Sequence, residues 1–371
     1  MLTVEHSRQR QRRLLEVMRR RNLDAVVVGV PHHVYYFSAV RSSWLHESAF
    51  VLMPDGRAWL TSGNKPAENA AVDEAVSYEA QWHATLRQEQ PAVVALQALD
   101  RLKSKGGGSA SRIGIDASTV TSQLLLAYEG HAEPIDADLW QMRRRKDADE
   151  LELMKLAIRA TEAMYSRARE LIEPGIQEIS VFTELHAAAV KSTGEPMTAP
   201  LGNDYVCGGG GGPPRNGRAA KAGEIYVLDL GPSYRGYFAD NCRAFAVGGK
   251  PTDKQMNTWT AITDCLELVE RLAKPGVRCR DLHDAAAAFQ LDRTGIKLPH
   301  HLGHGVGLQP HEYPHLNPSP GWDDVLLEGE VFTAEPGLYG PHLNGGIRIE
   351  NNYLVTASGV KNLLNFPMEL A

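Results

Sequence analysis

A chain of 371 residues is longer than one hydrophobic core usually serves, so about two domains are expected. With 43% hydrophobic and 23% charged residues it has an ordinary globular balance, and a net charge of −6 offers nucleic acid or an anionic membrane no electrostatic attraction. No stretch approaches the roughly 18 consecutive apolar residues of a membrane span, and no secretory apolar core follows the basic start, so the expected location is the cytoplasm.

In chain order, residues 1–138 read as a smaller α/β domain. Its basic start, with arginines at 8, 10, 12, 13 and 19–21, is interleaved with Leu14, Leu15, Val17 and Met18 and predicts an amphipathic helix with a solvated basic face. Residues 25–30, 49–53 and 112–116 are strand-like, with a turn at Pro54, Asp55 and Gly56. Between the first two strands, residues 41–47 carry Trp44 among polar neighbours. The run Lys105, Gly106, Gly107, Gly108, Ser109 predicts a flexible loop inside the domain. Residues 143–150, four basic residues followed by three acids around Ala148, mark the junction to a second domain over 139–371. There, helices are predicted over 151–171, stopping before Pro174 and Gly175, and over 178–191.

The second domain holds five possible metal donors in glycine- or strand-rich surroundings. Asp229 lies near the end of an apolar run from Ile225, and Asp240 follows Tyr237, Phe238 and Ala239, so the two read as neighbouring strands of a hairpin turning near 233–236. His304 stands between Gly303 and Gly305, where backbone can approach a bound group closely. Glu335 ends a strand-like run before Pro336 and Gly337. Glu350 closes an alternating segment in which Arg348 points to the same side. Two acids, an imidazole and two further acids can hold a pair of divalent ions, because bridging carboxylates neutralise charge that no single side chain could. Such ions would make hydroxide from water near neutral pH and polarise a carbonyl oxygen.

These runs resemble those of the metallopeptidase family that contains methionine aminopeptidase, aminopeptidase P, prolidase and creatinase. The resemblance implies an α+β chain: a C-terminal pita-bread domain preceded by a smaller creatinase-like α/β domain. It implies metal ligation by Asp229, Asp240, His304, Glu335 and Glu350, with Glu335 also shuttling a proton. His311 would donate to the scissile carbonyl, His300 would bind substrate, and Arg348 with Tyr339 would orient Asp229. His301 and His315 are read as structural neighbours. Manganese is the first choice of metal, with zinc, cobalt or iron as alternatives. The implied assembly is a homodimer or larger homo-oligomer, in which residues 41–47 contribute to a pocket.

One departure stands out. Family members carry a histidine about 17 residues before the first Asp ligand, whereas here Cys207 is followed by five glycines at 208–212 and by Pro213 and Pro214. The run lacks the Lys-Ser/Thr of a phosphate loop and is read as a flexible rim of the pocket. Cys207, Cys242, Cys265 and Cys279 lack paired metal spacing and are expected as free thiols. The resulting expectation is a dinuclear metal-dependent hydrolase of the Xaa-Pro peptidase type, acting through a metal-bridging hydroxide. The alternatives are a hydrolase of a small nonpeptide amide and a catalytically silent peptide-binding relative.

Overall fold

The structure, a computed structural model, describes residues 1–80, 87–105, 111–199, 202–319, 321 and 323–370. The chain divides into two compact units, Met1–Met142 and Arg143–Ala371.

The first unit is built on a mixed six-stranded sheet of β1 (Ala25–Val28), β2 (Ala49–Leu52), β3 (Ala58–Gly63), β4 (Glu74–Tyr78), β5 (Arg112–Ile115) and β6 (His131–Pro134), ordered β4-β3-β2-β1-β5-β6. β1 pairs antiparallel with β2 and parallel with β5, and all four of its residues are buried, which is why it reads as a continuous apolar run. The basic start forms α1 (Val4–Arg21), opened by Thr3, whose hydroxyl accepts the His6 N–H at 3.2 Å, and closed by a left-handed Asn22. Its basic face is not wholly solvated. Arg10 is fully buried with its guanidinium 4.8 Å from the Tyr36 ring centre, and Arg20 and Arg21 each reach Asp138 at 2.6 Å. Trp44 is 78% exposed, and the Arg87 guanidinium stacks 4.9 Å from its ring. Of the expected glycine loop, residues 106–109 lie outside the described residues, and Lys105 ends the helix Gln90–Lys105.

In the second unit the helix predicted from 151 begins earlier, at Ala148, and runs to Leu171. Asp147 caps it, and the Glu150 carboxylate accepts the Asp147 N–H at 2.8 Å; the acids that marked the junction are its capping box. The next helix, Glu178–Thr193, stops at Gly194 in a left-handed conformation. A three-stranded sheet follows, ordered β11-β8-β7, from β7 (Gly202–Cys207), β8 (Ile225–Leu230) and β11 (Asn241–Ala246); the short ribbon β9 (Ser233–Tyr234) and β10 (Tyr237–Phe238) turns the chain between β8 and β11. A five-stranded sheet, β13-β12-β14-β17-β18, contains β12 (Gly303–Gly305), β13 (Glu312–Leu316), β14 (Val331–Ala334), β17 (Asn351–Val355) and β18 (Val360–Asn362). β15 (Gly337–Gly340) and β16 (Gly345–Arg348) form a separate ribbon. Helices Asp253–Leu272 and Cys279–Thr294 contribute Ile262, Leu266, Leu282 and Ala286 to a core shared with Ile225, Leu302, Phe332, Ile347, Ile349 and Tyr353. All four cysteines are buried free thiols.

Two buried polar clusters hold this unit. The Arg243 guanidinium donates to the carbonyls of Cys242, Glu350, Phe366 and Pro367 and to Asn351 Oδ1, all at 2.8–3.0 Å, fastening β11 to the segment after β16. Glu312, at the start of β13, pairs with Arg143 and, at 2.6 Å, with Lys146; all three side chains are nine-tenths or more buried.

Candidate metal centre

Strand register brings the acids together. Asp229 stands opposite Cys242 in the β8–β11 ladder, so Asp240, two residues before Cys242, falls on the same side at the end of β11. The Asp240 backbone is clamped from β17: its N–H donates to Asn352 Oδ1 at 3.2 Å and its carbonyl accepts from Asn352 Nδ2 at 2.8 Å. Glu350 follows β16 and bridges Cys242 through its backbone, its N–H donating to the Cys242 carbonyl at 3.0 Å. Donor oxygens of Asp229, Asp240 and Glu350 consequently lie within 4.8 Å of one another.

Imidazoles complete the cluster. Donor atoms of Asp240, His304 and His311 form a second group of that size, and those of His301, His304 and Glu335 a third. His304 Nε2 lies 3.7 Å from Asp240 Oδ2 and 3.6 Å from Glu335 Oε1. Its Nδ1 is 3.0 Å from the Gly305 carbonyl, which places the proton on Nδ1 and leaves the Nε2 lone pair facing the acids. The His311 ring stacks on that of His304 at 3.7 Å, and its side chain is half exposed, on the open side of the cluster. The structure sets His300 one step away: its Nε2 lies 3.0 Å from Tyr339 Oη and its Nδ1 2.8 Å from the His301 carbonyl. Arg348 Nη1 donates to the same Tyr339 oxygen at 3.1 Å and Nη2 to Asp229 Oδ2 at 2.6 Å, so His300, Tyr339, Arg348 and Asp229 form one hydrogen-bonded chain.

The electrostatics suit a cation. Burial pushes the Asp229 carboxyl up to about 6 despite Arg348, and raises Asp240 and Glu350 well above the usual carboxylate range, with neighbouring carboxylates adding to it. Glu335 goes the other way. Burial opposes its charge, but the His301 hydrogen bond at 3.0 Å, His304 and Arg348 outweigh it and hold the group below its ordinary value. Burial lowers His304 to about 3, so its imidazole is neutral at neutral pH. Asp229 Oδ1 and Glu350 Oε2 are buried without a hydrogen-bond partner. Clustered acids with unsatisfied oxygens and a neutral imidazole are a donor set that divalent ions fit.

Three residues take part here beyond those the sequence proposes for the site. His301, read as a structural neighbour, supports Glu335 with a hydrogen bond of 3.0 Å. Asn352 carries a signal in its spacing, two residues past Glu350 on an alternating strand. Asp204 carries none until register is known: it stands opposite Asp229 in the β7–β8 ladder and pairs with Arg348.

The glycine run at 208–212 is tied down at both ends: Gly208 N–H donates to the Ile225 carbonyl at 3.0 Å, and the Gly212 carbonyl accepts from Tyr205 N–H at 2.8 Å. It borders a cavity of about 700 Å³ shared with Tyr339, Lys221 and Glu224. At Gly209 a side chain would make only ordinary contact with Val206, the nearest atom lying 3.7 Å from an added Cβ, whereas Gly212 has φ +128°. Gly209→His should therefore melt at close to the parent temperature, while Gly212→His should lose about 1–3 kcal/mol of stability in denaturant titration. Equal losses would contradict this backbone assignment.

Residues 152–357, more than half of the chain, match the model of metallopeptidase family M24, and residues 10–145 match the creatinase/prolidase N-terminal domain. The chain belongs to metallopeptidase family M24. Its second unit is the family's pita-bread domain, its first the creatinase-type domain, and it is a metal-dependent hydrolase. An Xaa-Pro dipeptidase of Pyrococcus furiosus is 26% identical, with 98% of this chain and 99% of that protein covered. The putative dipeptidase YkvY of Bacillus subtilis is 32% identical over 65% of this chain and 66% of its own length. Among solved structures, the Xaa-Pro dipeptidase from Bacillus anthracis superposes with a TM-score of 0.81 at 23% identity, covering 99% of both chains.

Proposed function

We propose that this M24 metallopeptidase is an Xaa-Pro peptidase that works with two divalent ions, manganese first among them. The observation that carries the reading is the overlapping set of donor groups, in which Asp229, Asp240, Glu350, His304 and Glu335 present unsatisfied or lone-pair atoms to one region. The full-length similarity to an Xaa-Pro dipeptidase supports the substrate class.

Asp229, Asp240, His304, Glu335 and Glu350 would hold the ions. When bound, the ions supply an ionised water at neutral pH and a Lewis acid for the scissile carbonyl. The chain's own groups then divide the work. Glu335, kept ionised, takes the water's proton on its carboxylate and passes it to the departing proline nitrogen. His311, half exposed beside Asp240, donates to the carbonyl oxygen as charge develops there, a contact worth about 3 kcal/mol. Arg348 and Tyr339 orient the carboxylate of Asp229, and His300, held on the Tyr339 hydroxyl, binds substrate. Oligomerisation would bring the exposed Trp44 to a neighbouring subunit.

A second reading, hydrolysis of a small nonpeptide amide, is favoured by the side-chain-free run at 208–212. A metal-by-substrate screen decides between them, with Mn, Zn, Co and Fe against Xaa-Pro dipeptides, Xaa-Pro tripeptides and small amides such as creatine. The expected result is metal-dependent cleavage of an Xaa-Pro bond. Loss of one substrate contact should hold turnover below the roughly 10 per second typical of enzymes. Cleavage of the small amide alone would replace the peptidase reading with the second.

A further inference from the structure

Asp204 lies outside the set of potential donors, yet its carboxylate is next to it. Its side chain is only 12% exposed and it faces Asp229 across the β7–β8 ladder. The Arg348 Nη2 that donates to Asp229 Oδ2 at 2.6 Å also pairs with Asp204 Oδ2, while Asp204 Oδ1 accepts the Gly212 N–H at 2.5 Å. A Cβ built on Gly211 would sit 2.8 Å from Asp204 Oδ1, closer than real side chains approach, and 3.0 Å from its carboxyl carbon. One carboxylate thus touches the guanidinium shared with a potential ligand and fills the space beside the glycine run.

We propose that Asp204 is a positioning residue of the metal centre: it shares Arg348 with Asp229 and ties the glycine run at 208–212 to that ion pair. The glycine at 211 is then the counterpart of Asp204, since either the carboxylate or a side chain at 211 can occupy that volume. The charge argument rests on the reading of Asp229 as a ligand. A guanidinium divided between two carboxylates leaves Asp229 able to donate to a cation. If the charge on Asp204 is removed, the guanidinium falls wholly to Asp229 and the site loses a negative charge in a medium of low dielectric. Both changes weaken cation binding.

The test begins with Asp204→Asn, which keeps shape and the acceptor for Gly212 while removing the charge. Calorimetric titration of the metal-free protein with Mn²⁺ should show affinity lower by about tenfold to a hundredfold. With the metal saturated, KM should stay close to the parent value, because the amide oxygen still accepts the Gly212 N–H and the run keeps its place. A residue that merely supports the fold would lower the melting temperature and leave Mn²⁺ affinity alone, and affinity within about twofold of the parent overturns the proposal. Should Asp204→Asn fail to fold, Gly211→Ala serves for the same titration with a smaller weakening of the same sign, since it displaces Asp204 from Arg348 without removing its charge. The tie to the run has its own readout in a cycle of Gly211→Ala, Asp204→Ala and the double variant. The melting-temperature losses should be less than additive, because the added methyl meets no carboxylate in the double variant. Additive losses would overturn the tie. A parent protein that takes up no Mn²⁺ would sink the metal reading itself, while the cycle still decides whether Asp204 holds the run.

Discussion

Asp240→Asn should melt at a higher temperature than the parent when both are metal-free, and should gain little from added Mn²⁺. The sign follows from burial. The folded Asp240 carboxyl is raised well above its ordinary value of 3.8, so the metal-free fold is penalised increasingly as pH rises above that value, and at neutral pH the penalty is present. The amide removes it. A cation that binds only the folded chain normally stabilises by mass action, and the variant should forfeit most of that shift. Glu335→Gln should behave oppositely in the metal-free protein. Its folded carboxyl is depressed, so it contributes stability above the ordinary value of 4.5 that is lost as pH falls through the folded value. At neutral pH that variant should therefore melt lower. Both substitutions should lower peptidase activity by about a hundredfold to ten-thousandfold, since several kcal/mol of transition-state stabilisation depend on the ions. Full Mn²⁺ occupancy with unchanged turnover in either variant would exclude that residue as a ligand.

Glu312→Gln should be strongly destabilising although it lies outside the candidate metal centre. It leaves Arg143 and Lys146 buried with a neutral partner, and breaking a buried ion cluster on one side costs about 3–5 kcal/mol. For a unit of this size that is a fall in melting temperature of roughly 6–20 °C. Burial works against the Glu312 charge, but Arg143 and Lys146 outweigh it and depress its carboxyl below 4.5. Its contribution is therefore complete above about 4.5 and fades as pH falls through the folded value. Stability curves of parent and variant should run apart at neutral pH and converge in acid. Glu170→Gln, at an exposed pair one helical turn from Arg167, should change stability by less than about 1 kcal/mol. Similar losses from both would show that the Glu312 cluster is no better than a surface pair.

The division between an α/β first unit and a second unit carrying the site was legible because its markers are local. Apolar runs such as 25–28 and 225–230 are buried along their whole length, and helices stop where Gly194 or Pro174 forces them to. The five potential donors were legible because each sits in its own short word of glycine or strand residues. What the sequence could not show depends on register. Asp204 acquires meaning only when β7 is laid against β8, and nothing in its own neighbours fixes that alignment. His301 and His300 are adjacent, and only the turn before β12 decides that one reaches Glu335 while the other reaches Tyr339. The helix expected from 151 starts three residues earlier, at Ala148, because a capping box and a charged junction have the same composition.

The long-range pairing of strands around the acids also bears on how the chain acquires its site. Asp229 and Glu350 meet through Cys242 although more than a hundred residues of chain separate them, and Arg243 fastens the same junction from beneath. Contacts of such sequence separation form only after long loops have closed, so the donor cluster assembles late, once both sheets of the second unit exist. A cation can then grip only the nearly finished structure. Its effect belongs to the unfolding rate, and a cell that runs short of the metal would meet this protein first as a chain that opens more often, before it meets one that folds more slowly.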